Sequence, residues 1–230
     1  AQDFFWWDPS RLPTPAKWVT VDRVRAKDAV NKIWWLSKSD HPKSDNRRVL
    51  QEYSKSMEIT LAQGTNTGTR ASGHRVSDNF SINNGGAIPP NLLAVSNSIS
   101  KDSYSDFCKE NELVIHPARI HSLIPEFFIR MLTDEGDLVI DPFAGSCVTG
   151  AVSERLERRW VCCDTNEEYL LGALGRFADL EVDAARLYVR KEYTISAPNF
   201  SPSRKPKKIP LALQSQFDLF DHHLEDESDT

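Results

Sequence analysis

An α/β fold of the doubly wound kind, with a parallel sheet and a loop-rich insert, is what the sequence predicts, and three observations carry the prediction. After residue 110, helix-like and strand-like apolar patterns alternate. Within that alternation a glycine-bearing turn, DPFAGSCVTG at residues 141–150, separates a short apolar run from a helix-like segment. Between residue 39 and about residue 100, by contrast, hydrophobic periodicity fails.

Taken in order, DFFWW at 3–7 reads as a buried strand, stopped by the proline-rich DPSRLPTP. KIWWLSK at 32–38 reads as a second strand. HPKSDNRR follows, then a short helix-like piece around VLQEYSKSM, then QGTNTGTRASGHRVSDNFSINNGGAIPPN, whose five glycines and many Asn, Ser and Thr residues predict long loops. A loop of that length in a compact protein is either disordered or functional, and Arg70, His74 and Arg75 within it favour function. Order returns with ELVIHPAR, read as a strand running into a proline. SLIPEFFIRMLT follows, with Ile124, Phe127, Phe128 and Met131 at helical spacing and Pro125 acceptable in a first turn. DEGDLVID supplies a turn and a strand ending at Asp141. A helix starting near Ser146 or Thr149 runs through AVSERLERR, RWVCCD forms a strand ending at Asp164, and NEEYLLGALGRFADL forms a helix.

Composition narrows the function classes. A chain of 230 residues, 40% apolar, holds one core or a core with an appended module. It has no run of 18 apolar residues and opens on no signal-peptide pattern, so an intracellular, cytoplasmic protein is expected; the start at Ala1 allows a processed end or a cut fragment. Cys108, Cys147, Cys162 and Cys163 show no C-x-x-C spacing and are expected to be buried free thiols, with no metal site. The net charge of −5 hides an asymmetry: residues 11–75 carry 13 Lys and Arg against 6 Asp and Glu, residues 76–230 carry 15 against 25. The basic residues alternate with Trp18, Trp34, Trp35 and Tyr53, a composition suited to phosphate contacts beside base-reading loops, although a solvated basic face has the same composition.

In a doubly wound sheet ligands bind beyond the carboxyl ends of the strands, where Asp141 and Asp164 are expected to stand. Gly145 lets a backbone approach a ligand, and a carboxylate after the second strand suits ribose hydroxyls. G-x-G-x-x-G is missing and no Gly-Lys-Ser or Gly-Lys-Thr follows, so residue pattern alone leaves a structural loop and an adenosine-type ligand both open.

DPFAGSCVTG, taken with the upstream HPARIHSLIPEFFIRML and the downstream WVCCDTNEEY, resembles the S-adenosylmethionine-binding half of amino-DNA methyltransferases in their permuted, beta-type order. DFFWWDPSRLPTPAKWVTVDRVRAKDAVNKIWWLSKSDHPKSDNRRVL and SGHRVSDNFSINNGGAIPPNLLAVSNS resemble the PvuII-type N4-cytosine branch, and the likeness spans about residues 1–180. It implies a Rossmann-like S-adenosylmethionine-dependent methyltransferase fold, incomplete in this chain, with a loop-rich target-recognition region. Residues 1–38 then belong to the catalytic-domain core, 39–105 to target recognition, 106–190 to the cofactor-binding part, and 191–230 to a linker and acidic tail. The implied activity is methylation of the N4 amine of cytosine in a specific duplex DNA sequence, as in a bacterial or phage restriction-modification system.

Carried over by residue, Asp141 opens the implied cofactor loop, Phe143 and Gly145 supply its aromatic and its glycine, and Thr149 lies near the helix start. Cys147 stands where a second glycine is usual, either narrowing the cofactor pocket or pointing aside. Asp164 matches the ribose-binding carboxylate, and His116, Pro117 and Pro125 match the segment flanking the methionine end. Arg70, His74 and Arg75 are expected over the major groove, and Lys43, Arg47 and Arg48 against phosphates.

No catalytic residue is assigned. Enzymes of this branch present Ser-Pro-Pro-Tyr or Ser-Pro-Pro-Phe to the target amine, whose lone pair is delocalised into the ring and needs oxygen acceptors to orient it. The sequence contains neither; its only Pro-Pro pair is Pro89-Pro90. The expectation is a split or truncated methylase that needs a second polypeptide or a missing N-terminal part, with Trp6 and Trp7 poorly covered in its absence; the alternative is a non-catalytic, sequence-specific DNA-binding module. SAPNFSPSRKPKKIP reads as a linker and FDLFDHHLEDESDT as an acidic tail, in which Phe217, Leu219 and Phe220 are candidates for docking and His222 and His223 lack further metal-ligand spacing.

Overall fold

A computed structural model describes residues 1–64, 71–73, 82–98 and 102–177. Contacts divide the chain into two units, one formed by Ala1–Ser100, Ile120–Asp141 and Val148–Val161, the other by Lys101–Arg119, Pro142–Cys147 and Cys162–Thr230. The predicted recognition loops with Arg70, His74 and Arg75, and the predicted linker and tail, lie outside the described residues.

The first unit holds a three-stranded sheet in which β1 (Gln2–Trp7) is central, antiparallel to β2 (Val30–Trp35) and parallel to β3 (Leu92–Ala94). Side chains of a strand alternate between faces, so Phe4 and Trp6 point one way and Phe5 and Trp7 the other. Phe4, only 3% exposed, meets Phe127 and Phe128 edge-on at centroid distances of 5.7 and 5.1 Å. The opposite face leaves Phe5, Trp7, Val30, Trp34 and Leu92 exposed, while the Trp6 indole donates to the Val95 carbonyl at 2.8 Å. Poor cover was expected for both tryptophans; it holds for Trp7, whereas Trp6 is half-buried. At the end of β1, buried Asp8 accepts from the backbone N–H groups of Ser10 and Asn97 and from the Ser10 hydroxyl.

Phe127 and Phe128 belong to a helix of Leu123–Leu132, which also carries Ile129 into a core with Val148 and Val152. Those two residues lie on the helix Val148–Arg155, which in chain order separates the paired strands Leu138–Asp141 and Arg159–Cys162. Glu126 accepts from Arg130 at 2.9 Å and from Arg155, which joins the two helices outside that core. Each strand of the pair has one half-buried face and leaves the other open, with Leu138, Ile140 and Val161 exposed. Between β2 and β3 in sequence lie a 3₁₀ turn, Asn46–Val49, and a helix, Lys55–Gln63, capped by the Ser54 hydroxyl on the Met57 N–H.

The second unit contains the helices Ser103–Glu110 and Glu167–Ala173 and a 3₁₀ turn, Leu174–Arg176. Close approach is possible because Gly172 and Gly175 lack side chains: a Cβ there would lie 2.6 Å from the Cys108 sulfur and 2.3 Å from the Phe107 Cβ. In chain order the helices are α1 (Lys55–Gln63), α2 (Ser103–Glu110), α3 (Leu123–Leu132), α4 (Val148–Arg155) and α5 (Glu167–Ala173), and the paired strands are β4 (Leu138–Asp141) and β5 (Arg159–Cys162).

Three readings need correction. ELVI forms no strand, because the N–H of Leu113 is taken by the Cys108 carbonyl and that of His116 by the Tyr104 hydroxyl, so the segment is tied to α2 instead of a ladder. The helix near VLQEYSKSM starts only at Lys55, after the cap at Ser54. The cysteines are free, but only Cys108 and Cys147 are buried; Cys162 is half-buried at the end of β5 and Cys163 is exposed. Among the described residues no helix is long and apolar enough to cross a membrane.

Phe4 is the side chain through which β1 holds α3. Replacing it with alanine removes a buried aromatic from an edge-to-face cluster, and urea denaturation is expected to show a loss of about 3 kcal/mol or more. A loss below about 1 kcal/mol would contradict this packing role.

Candidate functional site

The turn after β4 is tightly constrained. Gly145 and Cys147 both have φ of 52°, the left-handed region that L-residues adopt at a cost. Three main-chain donors fix the turn: the N–H of Ala144 binds the Cys163 carbonyl at 2.9 Å, that of Gly145 binds Asp164 Oδ2 at 2.8 Å, and that of Cys147 binds the Ala144 carbonyl at 2.8 Å.

Asp164 stands two residues beyond the end of β5, and each of its oxygens has one backbone donor, Oδ2 from Gly145 and Oδ1 from Asn166 at 2.9 Å. A carboxylate has about four acceptor directions, so two N–H contacts leave capacity for hydroxyl groups. Asn166 in turn caps α5 by accepting from the Glu168 N–H at 3.0 Å.

His116 comes to the same turn from the segment after α2. Its ring packs edge-on against Tyr169 at 4.4 Å, its Nδ1 accepts from the Ala118 N–H at 3.2 Å, and its backbone N–H donates to the Tyr104 hydroxyl at 2.8 Å. Accepting at Nδ1 leaves the proton of a neutral ring on Nε2. A Cβ on Gly145 would lie 2.9 Å from that Nε2, so the turn passes the imidazole at a distance only glycine permits.

The remaining predicted residues fall as follows. Phe143, 87% exposed, lies on the turn, and Cys147 is buried. Asp141 ends β4, Pro125 is the third residue of α3, and Thr149 is in the first turn of α4, where its carbonyl accepts from the Ser153 hydroxyl at 2.8 Å. These three belong to the first unit, whereas His116, Phe143, Gly145, Cys147 and Asp164 belong to the second. Pro117 follows His116 in the second unit.

Sequence reasoning missed Asp102, Tyr104, Arg119, Ser146 and Arg176, which surround the turn's supports. Asp102 caps α2, accepting from the Ser105 N–H and hydroxyl, and pairs with Arg119 at 2.8 Å and Arg176 at 3.3 Å. Its burial works against ionisation, but the Ser105 hydrogen bonds and the two guanidiniums outweigh that, and its carboxyl is held below the usual value. The spacing of Tyr104, Phe107 and Cys108 was the available signal for α2.

The predicted phosphate-contacting cations are engaged by carboxylates of the first unit. Lys43 reaches Asp134 at 2.7 Å and Asp137 at 2.5 Å; Arg48 binds Asp134 and donates to the Thr133 carbonyl at 2.7 Å. Arg47 chelates Asp45 but its side chain is 82% exposed. Hydrogen bonds from the Arg47 side chain and backbone, with the arginine charges behind them, hold the Asp45 carboxyl at about 2, so that pair persists at neutral pH.

A protein-family model described as DNA methylase matches residues 1–174. The Type II methyltransferase M.PvuII of Proteus hauseri is 45% identical over 190 residues, which is 81% of this chain and 56% of that protein. M.BamHI of Bacillus amyloliquefaciens is 31% identical over 154 residues, 63% of this chain and 31% of its own length. A solved structure of PvuII DNA methyltransferase (cytosine-N4-specific) superposes with a TM-score of 0.59 at 39% identity, covering 81% of this chain and 54% of that one. The chain thus spans about half the length of M.PvuII and less of M.BamHI.

Tyr104, fully buried, supplies a spectroscopic check on this arrangement: burial pushes its phenol up to about 12 from the ordinary 10.0. In an absorbance titration one of the five tyrosines is expected to ionise late, near pH 12, and Tyr104→Phe to remove that step. Because the folded-state value is the raised one, the neutral phenol's contribution to stability is full below pH 10.0 and lost as pH rises through about 12. Simultaneous ionisation of all five would contradict the buried placement.

Proposed function

The chain belongs to the DNA methylase family, and on that premise we propose that it takes part in transferring a methyl group from S-adenosylmethionine to the N4 amine of cytosine in a specific duplex DNA sequence. S-adenosylmethionine is the methyl donor of this family, and the fold is its Rossmann-like α/β arrangement. The single observation that carries the assignment to these residues is the turn itself: the Gly145 N–H on Asp164, and an imidazole edge 2.9 Å from where a Cβ would stand.

The residues fit the donor by their chemistry. Asp164 keeps free acceptor directions for a ribose diol after its two backbone contacts. Phe143 offers an exposed ring for a purine face, Gly145 permits close approach of the backbone, and His116 supports the turn from beneath. Cys147 lies in the same turn; Asp141, Pro125 and Thr149, the other residues expected from the sequence, belong to the first unit. When bound, the donor supplies an electrophilic methyl group on its sulfonium; the protein's part is to hold it in line with the amine and exclude water.

For DNA, residues 39–105 form the target-recognition region in this reading. Arg70, His74 and Arg75 read base edges, and Lys43, Arg47 and Arg48 face phosphates, with Arg47 the most available of the three. Exposed ion pairs contribute only about 0–1 kcal/mol each, so a phosphate competes with Asp45, Asp134 or Asp137 for these cations. Orienting the amine requires a Ser-Pro-Pro motif, absent from these 230 residues. That motif is supplied by residues outside them, in the same polypeptide or a second one. The absence of the motif also favours a second reading, a DNA-binding module without transfer activity.

Two measurements test the proposal. Titration calorimetry is expected to show S-adenosylhomocysteine binding that Asp164→Ala weakens about ten-fold or more and Asp164→Asn, which keeps one acceptor, weakens less. Radiolabelled methyl transfer to duplex DNA is expected only when a polypeptide carrying Ser-Pro-Pro is present, and replacing Arg70, His74 and Arg75 together should relax sequence choice, each good base contact being worth roughly 1–3 kcal/mol of discrimination. DNA binding without transfer in the presence of that motif would favour the binding module. Robust cytosine methylation by the 230 residues alone would overturn the need for an outside motif.

A further inference from the structure

The second unit contains a nearly buried charge cluster that the cofactor reading does not use. Arg176, at the end of the Leu174–Arg176 turn, has a side chain 12% exposed. Its Nε donates to the Ser146 carbonyl at 2.6 Å, its Nη2 donates to the Ser146 hydroxyl at 3.2 Å, and its Nη1 lies 3.3 Å from Asp102 Oδ2. Arg119 donates to Asp102 Oδ1 and to the Ser105 hydroxyl, both at 2.8 Å. The two guanidiniums lie over the ring of the buried Tyr104, at 4.9 Å for Arg176 and 5.6 Å for Arg119.

Placing guanidinium groups out of water is unfavourable unless their donors are satisfied. Here Arg176 spends its hydrogen bonds on Ser146, the residue between the two left-handed positions of the turn. Tyr104 carries the cluster to the other side of the same turn, because its hydroxyl accepts the N–H of His116, whose ring fills the space that a Cβ on Gly145 would need. The cluster therefore grips the turn at Ser146 directly and at Gly145 through His116.

We propose that Arg176 is a positioning residue for the cofactor turn: with Asp102, Arg119 and Tyr104 it holds the turn at Ser146, with Gly145 and Cys147 on either side in the left-handed conformation, in the form that receives S-adenosylmethionine. This rests on the cofactor reading of the turn. Arg176 does not touch the ligand; it acts through Ser146. A planar fork is required, since one guanidinium serves the Ser146 carbonyl, the Ser146 hydroxyl and Asp102 together, which a lysine ammonium cannot match in geometry.

The test uses the 230-residue chain with Arg176→Met, Arg176→Lys, Ser146→Ala and Tyr104→Phe. Hydrogen exchange at the amides of residues 144–147 is read alongside titration with S-adenosylhomocysteine, thermal melting and affinity for duplex DNA. Both Arg176 variants are expected to speed exchange in the turn and to weaken S-adenosylhomocysteine at least ten-fold, with DNA affinity unchanged. Ser146→Ala keeps the carbonyl contact and should change binding less than three-fold. Tyr104→Phe, which keeps the ring, should speed exchange at His116. Unchanged turn exchange in Arg176→Met, full rescue by lysine, or a parallel fall of DNA affinity, cofactor affinity and melting temperature would overturn the positioning role. Failure of the wild-type chain to bind S-adenosylhomocysteine would sink the cofactor reading, while the exchange measurement still decides whether Arg176 holds the turn.

Discussion

Two left-handed residues within three positions, Gly145 and Cys147, set the terms for the second unit. Glycine meets that demand without a steric cost, but a cysteine in the same region costs roughly 1–2 kcal/mol that the surroundings must offset. The offset comes from hydrogen bonds converging on the turn from Cys163, Asp164 and Arg176. Those partners lie beyond β5 and around α5, so the turn, the carboxylate and the helix cap at Asn166 form one cooperative arrangement. A structure with Asp164 displaced would lose the Gly145 contact and the start of α5 together.

Charge is organised differently in the first unit. The excess of Lys and Arg in residues 11–75 suggests a uniformly attractive surface for phosphate, yet Lys43 and Arg48 are bridged to the carboxylates of the turn after α3. The Asp45 N–H also donates to the Met131 carbonyl at 2.8 Å, so the segment 43–48 serves as a strap on the end of α3. Because these pairs are largely exposed, their net worth is small and salt-sensitive. A cationic residue here can stabilise the fold and still exchange its partner for a phosphate, and the two roles draw on the same charge.

The apolar pattern of the strands has a further implication. Strands written as nearly continuous apolar runs, such as DFFWW and LVI, suit a sheet covered on both faces. In β1 only the Phe4 and Trp6 side is covered, by the phenylalanines of α3, and the Phe5 and Trp7 side is open. In β4 and β5 Val139 joins the core while Ile140 and Val161 stay exposed. The sequence of these strands therefore encodes more apolar contact than the described residues supply to one another.

Most strands and the helices α3, α4 and α5 were legible because they rest on local periodicity and on turn residues, which act over a few positions. The strand expected at ELVI failed for the opposite reason: a strand exists only if a partner ladder accepts it, and its donors at Leu113 and His116 are taken by α2. β3 was missed because three residues hold no period, and it forms only through pairing with β1. The places of Gly145 and Asp164 at a turn and beyond a strand end were legible, since a glycine in a tight turn and a carboxylate after a strand are properties of chain order. By itself, then, the sequence determined where most strands and helices can start and which carboxylates follow strand ends. The tertiary structure alone decided that His116 lies against Gly145 and that Arg176, thirty residues along from Ser146, grips it, because hydrogen bonds and ion pairs depend on distance through space, which no spacing along the chain specifies.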